Sequence, residues 1–85
     1  MPFNISDHAR AHMEIRHIEE DMVWQILMNP WQIIKSEDKT IYQSVIIEEG
    51  RQYLIRIFVN HLKVPNLVIT VYKTSKIGKY YEGNL

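Results

Sequence analysis

The hydrophobic period changes at Asn29–Pro30, and this change limits the possible folds more than any other feature of the chain. Before it, apolar residues recur every three or four positions; after it, they alternate or run in short stretches. The first period belongs to amphipathic helices and the second to strands. Proline lacks the amide hydrogen a helix needs and so ends the helical part.

Two helices are expected ahead of that stop. Ser6 suits an N-cap, and Asp7 follows where the helix dipole favours an anion. Ala9 and Met13 lie four apart and share a face. A break near His17 precedes "IEEDMVWQILM". Its acids crowd the first turn, and Ile18 can staple onto Val23 if Glu19 caps. Met22, Val23, Ile26 and Leu27 form the apolar stripe, flanked by Trp24 and Met28.

Beyond Pro30, "WQIIKSE", "TIYQSVIIE", "RQYLIRIFVN" and "LVITVYKT" read as strands, with "DK" and "EG" as turns. Short connections between them imply antiparallel pairing. The expected architecture is one α+β domain over residues 1–85: a helical hairpin packed on one face of a four-stranded antiparallel sheet. Alternation sends Tyr53, Ile55, Ile57 and Val59 to one face, and Gln52, Leu54, Arg56, Phe58 and Asn60 to the other. In the last strand Leu67, Ile69 and Val71 make the apolar set expected to meet the helices. Val68, Thr70, Tyr72 and Thr74 are expected on the uncovered face with Arg56.

Charge is unevenly placed although its formal sum is zero. No acid occurs between Arg51 and Tyr81, a span that holds Arg56, Lys63, Lys73, Lys76 and Lys79. This asymmetry points to an anionic partner, or to acidic helices neutralising a basic sheet. Cysteine is absent, which excludes disulfides and thiolate metal sites. Neither a membrane span nor a signal-peptide pattern is visible, so a soluble cytoplasmic protein is expected.

Arg56, Tyr72, Lys73, Lys76, Lys79, Tyr80 and Tyr81 combine cations with aromatic rings. That combination suits single-stranded RNA: guanidinium and ammonium groups hold phosphates, and rings stack on unpaired bases. His8, His12 and Arg16 fall on one helix face. Two histidines four apart can bind zinc, but no third ligand follows at a sensible spacing, so neither metal nor cofactor is expected. The histidines can also exchange protons, or simply hydrogen-bond to the chain while Arg16 pairs with an acid such as Glu20. Glycine-rich phosphate loops and nucleophile elbows are missing.

"SDHARAHMEIRHIEEDMVWQILMNP" followed by "VITVYKTSKIGKYY" resembles a small bacterial family of the RelE/ParE-like toxin superfamily, close in pattern to the BrnT-like toxins. The matching positions are His8, Ala9, Met13, Arg16, Ile18, Asn29, Pro30 and the run from Thr70 to Tyr80. The resemblance implies a toxin neutralised by a cognate antitoxin protein, acting on messenger RNA, on or off the ribosome, or else on DNA gyrase. Carried over by chemical type, it implies that Arg56, Lys73, Lys76 and Tyr80 would serve catalysis, with His8 or His12 exchanging protons. Arg16, Tyr72, Lys79 and Tyr81 would bind RNA. The implied reaction is attack of a ribose 2′-hydroxyl on the adjacent phosphate without a metal. The alternative is a non-catalytic binding module, either a gyrase inhibitor or a degenerate toxin.

Overall fold

The computed structural model describes residues 2–83. Strand β1 (Phe3–Ile5) leads into helix α1 (Asp7–Ile15) and helix α2 (Glu20–Met28). Strands β2 (Gln32–Lys35), β3 (Thr40–Glu48), β4 (Arg51–Asn60) and β5 (Asn66–Thr74) follow, and a single turn of helix, α3 (Ile77–Tyr80), comes last. The sheet order is β1-β5-β4-β3-β2. Its β2 to β5 neighbours are antiparallel, whereas β1 lies parallel to β5, with Phe3 opposite Asn66 and Ile5 opposite Val68.

The expectation of a four-stranded antiparallel sheet is therefore corrected: the sheet is mixed and five-stranded, and a third helix is present. Strand β1 has only three residues, too few for a period, and its partner lies at the far end of the chain. It is held because Phe3 and Ile5 are buried in the core while Asn4 stays outside. Phe3 also meets Trp24 and Tyr42 edge-on, at ring-centroid distances of 6.4 and 5.6 Å.

Local chemistry explains the helix ends. Ser6 Oγ accepts a hydrogen bond from the Ala9 amide at 3.0 Å, which starts α1. At its other end His17 turns left-handed, with φ of 54°. The His17 amide donates to Glu14 O at 3.3 Å and the Ile18 amide to Met13 O at 2.8 Å. These two bonds make a Schellman ending, and Ile18 and Met13 supply its buried apolar contact. A Cβ is disfavoured in that conformation. His17→Gly should therefore raise stability by about 0.5–1 kcal/mol, measured by urea unfolding.

Glu20 is the acid that holds the two helices together. It accepts from Trp24 Nε1 at 3.1 Å and pairs with Arg10 across the interhelical break. The Trp24 hydrogen bond, then Arg10, lowers the Glu20 carboxyl below its ordinary value. Arg16, expected to pair with such an acid, instead donates from Nη1 to Val71 O at 2.7 Å.

The main core lies between the helices and one sheet face. Ala9, Met13, Val23, Ile26 and Leu27 pack there on Ile55, Ile57, Val59, Val68 and Val71. Two-residue turn Glu49–Gly50 joins β3 to β4, both residues having positive φ, of 52° and 75°. That conformation matches the twist of a tight hairpin and favours the glycine.

Alternation fails once, in β5. Thr70 lies opposite Phe58, but Val68 lies opposite Val59, so Ile69 is an extra residue with no cross-strand partner. Such a bulge reverses the facing of everything before it. Val68, expected on the uncovered face, is fully buried beneath the helices, and Leu67 and Ile69, expected in the core, are only half-buried. Leu54, also expected in the open, is fully buried. Together with Val45 and Ile77 it forms a second, smaller core under α3, with Tyr80 and Tyr81 against it. Among the described residues, no helix is long and apolar enough to cross a membrane.

Candidate functional site

Arg56 is the structural centre of the second sheet face. It sits mid-strand in β4, opposite Gln43 on β3 and Tyr72 on β5. Its side chain is only 8% exposed. Nε donates to Gln43 Oε1 at 2.9 Å, and Nη1 donates to the Tyr72 hydroxyl at 2.7 Å. Three rings surround the guanidinium carbon, at 4.5 Å (Tyr80), 5.3 Å (Phe58) and 5.7 Å (Tyr72). Aromatic faces stabilise a desolvated cation without neutralising it.

Among the described residues no carboxylate pairs with Arg56; the two ion pairs are Arg10–Glu20 and Lys73–Glu48. Among the described residues every buried side-chain polar atom has a hydrogen-bond partner. Nη2 makes no hydrogen bond among the described residues. The Tyr72 hydroxyl accepts from Arg56 and keeps its own O–H as a donor. The guanidinium and the phenol thus offer a charged and a neutral donor that no carboxylate among the described residues pairs with. This is the chemistry of an anion site, and phosphate is the anion that a guanidinium edge and a phenol fit.

A chain of amides fixes the C-terminal segment over this point. Gln43 Nε2 donates to Gln32 Oε1 at 2.6 Å and to Tyr80 O at 3.3 Å. Gln32 in turn accepts from the Glu82 amide at 3.0 Å and donates to Glu82 O at 2.7 Å. Gln43 is fully buried with all of its roles assigned, so the guanidinium cannot turn without breaking the series. On the far side, Phe58 and Tyr72 stack with centroids 5.6 Å apart and planes at 23°. Beyond Tyr80 and Glu82 the face is uncovered, with Ile34, Ile41, Phe58 and Thr70 half-exposed.

The residues expected to act together divide into three places. Arg56, Tyr72 and Tyr80 converge, with Lys79 Nζ standing 5.3 Å from the Tyr80 ring centre and Tyr81 packed on the small core. Lys73 does not join them. It pairs with Ile55 and therefore lies on the opposite face, donating to Glu48 Oε1 at 2.8 Å and lying 5.3 Å from the Tyr53 ring centre. Lys76 is exposed at the start of α3, its backbone amide bonded to Thr74 Oγ1.

His8, His12 and Arg16 form the third place, along the outer edge of β5 where β1 no longer covers it. His12 Nδ1 is 2.9 Å from Thr70 Oγ1, and its ring contacts that of His8 at 4.1 Å between centroids. Burial, then His8 and Arg16, lower the His12 imidazole below its ordinary value. Arg16 occupies a strand-edge carbonyl that would otherwise invite another strand.

The face depends on residues that the charge pattern did not single out: Gln43, Gln32, Phe58 and Thr70. Gln43 carried a usable signal, because it interrupts the apolar run "IYQSVII" and the tight turn sets it opposite Arg56. An open cleft of about 470 Å³ lies elsewhere, lined by Gln25, Ile26, Met28, Asn29, Trp31 and Ser44. It contains no charged side chain and none of the expected site residues. No protein-family model, curated protein or solved structure matches the chain.

Proposed function

We propose that this protein is a toxin of the RelE/ParE-like kind, held in check by a protein antitoxin, that binds single-stranded RNA on the open part of the Arg56 face and cleaves it. One observation carries the reading: the Arg56 guanidinium, bonded to the Tyr72 hydroxyl, stands beside stacked aromatic rings without an acid partner among the described residues. A phosphate would lie on the two donors and unpaired bases on the rings. In the reaction, the ribose 2′-oxygen loses its proton to solvent and bonds to the adjacent phosphorus. The bond to the 5′-oxygen breaks, and that oxygen takes a proton from Tyr72, which solvent restores. The products are a 2′,3′-cyclic phosphate and a 5′-hydroxyl. Arg56 stabilises the extra charge on the phosphorane oxygens, which is what fixed donors do best.

A non-catalytic reading is favoured by a different observation. Lys73 is occupied by Glu48 on the other face, and Lys76 is exposed ahead of α3, so neither of these lysines joins Arg56. Incubation of purified protein with end-labelled single-stranded RNA, with and without ribosomes, separates the two. Cleavage giving cyclic phosphate ends, reduced roughly 100-fold by Arg56→Ala, is the expected result. Lys73→Ala should leave the rate within about threefold, since that side chain lies behind the sheet. Binding without cleavage would establish the second reading, and neither binding, cleavage nor growth arrest on expression would refute both.

A further inference from the structure

His8 and His12 are one helical turn apart on α1, and their rings meet at 4.1 Å with planes inclined by 58°. The hydrogen bond of His12 Nδ1 to Thr70 Oγ1 leaves Nε2 as the nitrogen free for another ligand. Metal-bound imidazoles are oriented in the same way, by a bond made through the other ring nitrogen. His8 is exposed and can turn its ring toward the same point. The next cation on this face, Arg16, is held by Val71 O. His61, by contrast, has both ring nitrogens engaged, at 2.8 Å from Thr40 Oγ1 and 3.0 Å from Glu37 O.

We propose that His8 and His12 form a two-histidine site for a borderline divalent cation, Zn²⁺ or Ni²⁺, bound through Nε2 of His12 and a ring nitrogen of His8. Imidazole selects such ions over Mg²⁺ and Ca²⁺, which prefer oxygen. No cluster of three metal-ligating side chains occurs among the described residues, so water completes the coordination and the ion remains exchangeable. Both ligands lie on α1, outside the Arg56 face that Thr70 borders, and occupancy is read without RNA.

The test uses the untagged full chain, titrated calorimetrically with zinc or nickel chloride. One ion per chain should bind with a Kd in the range of roughly 1–100 μM, and magnesium should give no signal. His8→Ala, at an exposed position, should weaken binding at least about tenfold, and Thr70→Val, which keeps both ligands but frees the His12 ring, by roughly tenfold. His17→Gly should bind like the parent chain. Absence of zinc and nickel binding below about 1 mM, or unchanged binding by His8→Ala, would overturn the proposal.

Discussion

Val68→Asp is expected to unfold the domain, while Leu67→Asp, one residue earlier, should leave it folded. Val68 is fully buried against the helices, among Ala9, Met13, Val59 and Val71. An aspartate there would be a desolvated charge with no partner, costing more than about 4 kcal/mol, a large part of what a chain of this size has. Leu67 is half-buried and points to the other face, so its replacement should cost about 1–2 kcal/mol. Circular dichroism and urea unfolding of the two variants check this. Strict alternation along β5 forecasts the reverse order. An unfolded Leu67→Asp beside a stable Val68→Asp would show that the bulge at Ile69 is misplaced.

Arg56→Ala should have the second largest effect, on stability as well as on RNA. The substitution strands the buried oxygen of Gln43, removes the donor to Tyr72 and opens a cavity under Tyr80. A loss of about 2–4 kcal/mol follows from an unsatisfied buried acceptor together with lost aromatic contacts. Arg56→Lys keeps the charge but cannot bond Gln43 and Tyr72 through a rigid fork, and should lose about half as much. RNA affinity should fall at least about tenfold in both variants, under conditions where circular dichroism shows them folded. Parent-like RNA affinity in a folded Arg56→Ala would remove Arg56 from the site.

Much of the architecture was legible because it is local. β3 and β4 occupy the expected residues, since alternating apolar side chains end on a turn containing glycine. The same turn fixes their register, so Gln43 faces Arg56 as soon as Glu48 faces Arg51. Ser6 and the Asn29–Pro30 stop likewise mark their helix ends. The candidate site was legible only as a set of residue types. Lys73 and Arg56 look alike in the charge pattern, but the pleat sends them to opposite faces, and Glu48 occupies one of them.

The sequence by itself determined the succession of α1, α2 and strands β2 to β5, the hairpin between β3 and β4, and the presence of a basic, aromatic C-terminal half. These follow from period, caps and turn chemistry, which act over a few residues. Tertiary structure alone decided the parallel strand β1, the reversal at Ile69, the Tyr80 ring over Arg56 and the tie of Glu82 to Gln32. Each depends on contacts between distant parts of the chain: Ile5 with Val68, α1 with the β5 edge, and Gln32 with Glu82. A three-residue strand is stable only where its side chains find a core, and the bulge at Ile69 puts Val68 beneath the helices in place of Leu67 and Ile69. The physical reason is the same in each case: burial energy is settled by the assembled core, after local preferences have been satisfied.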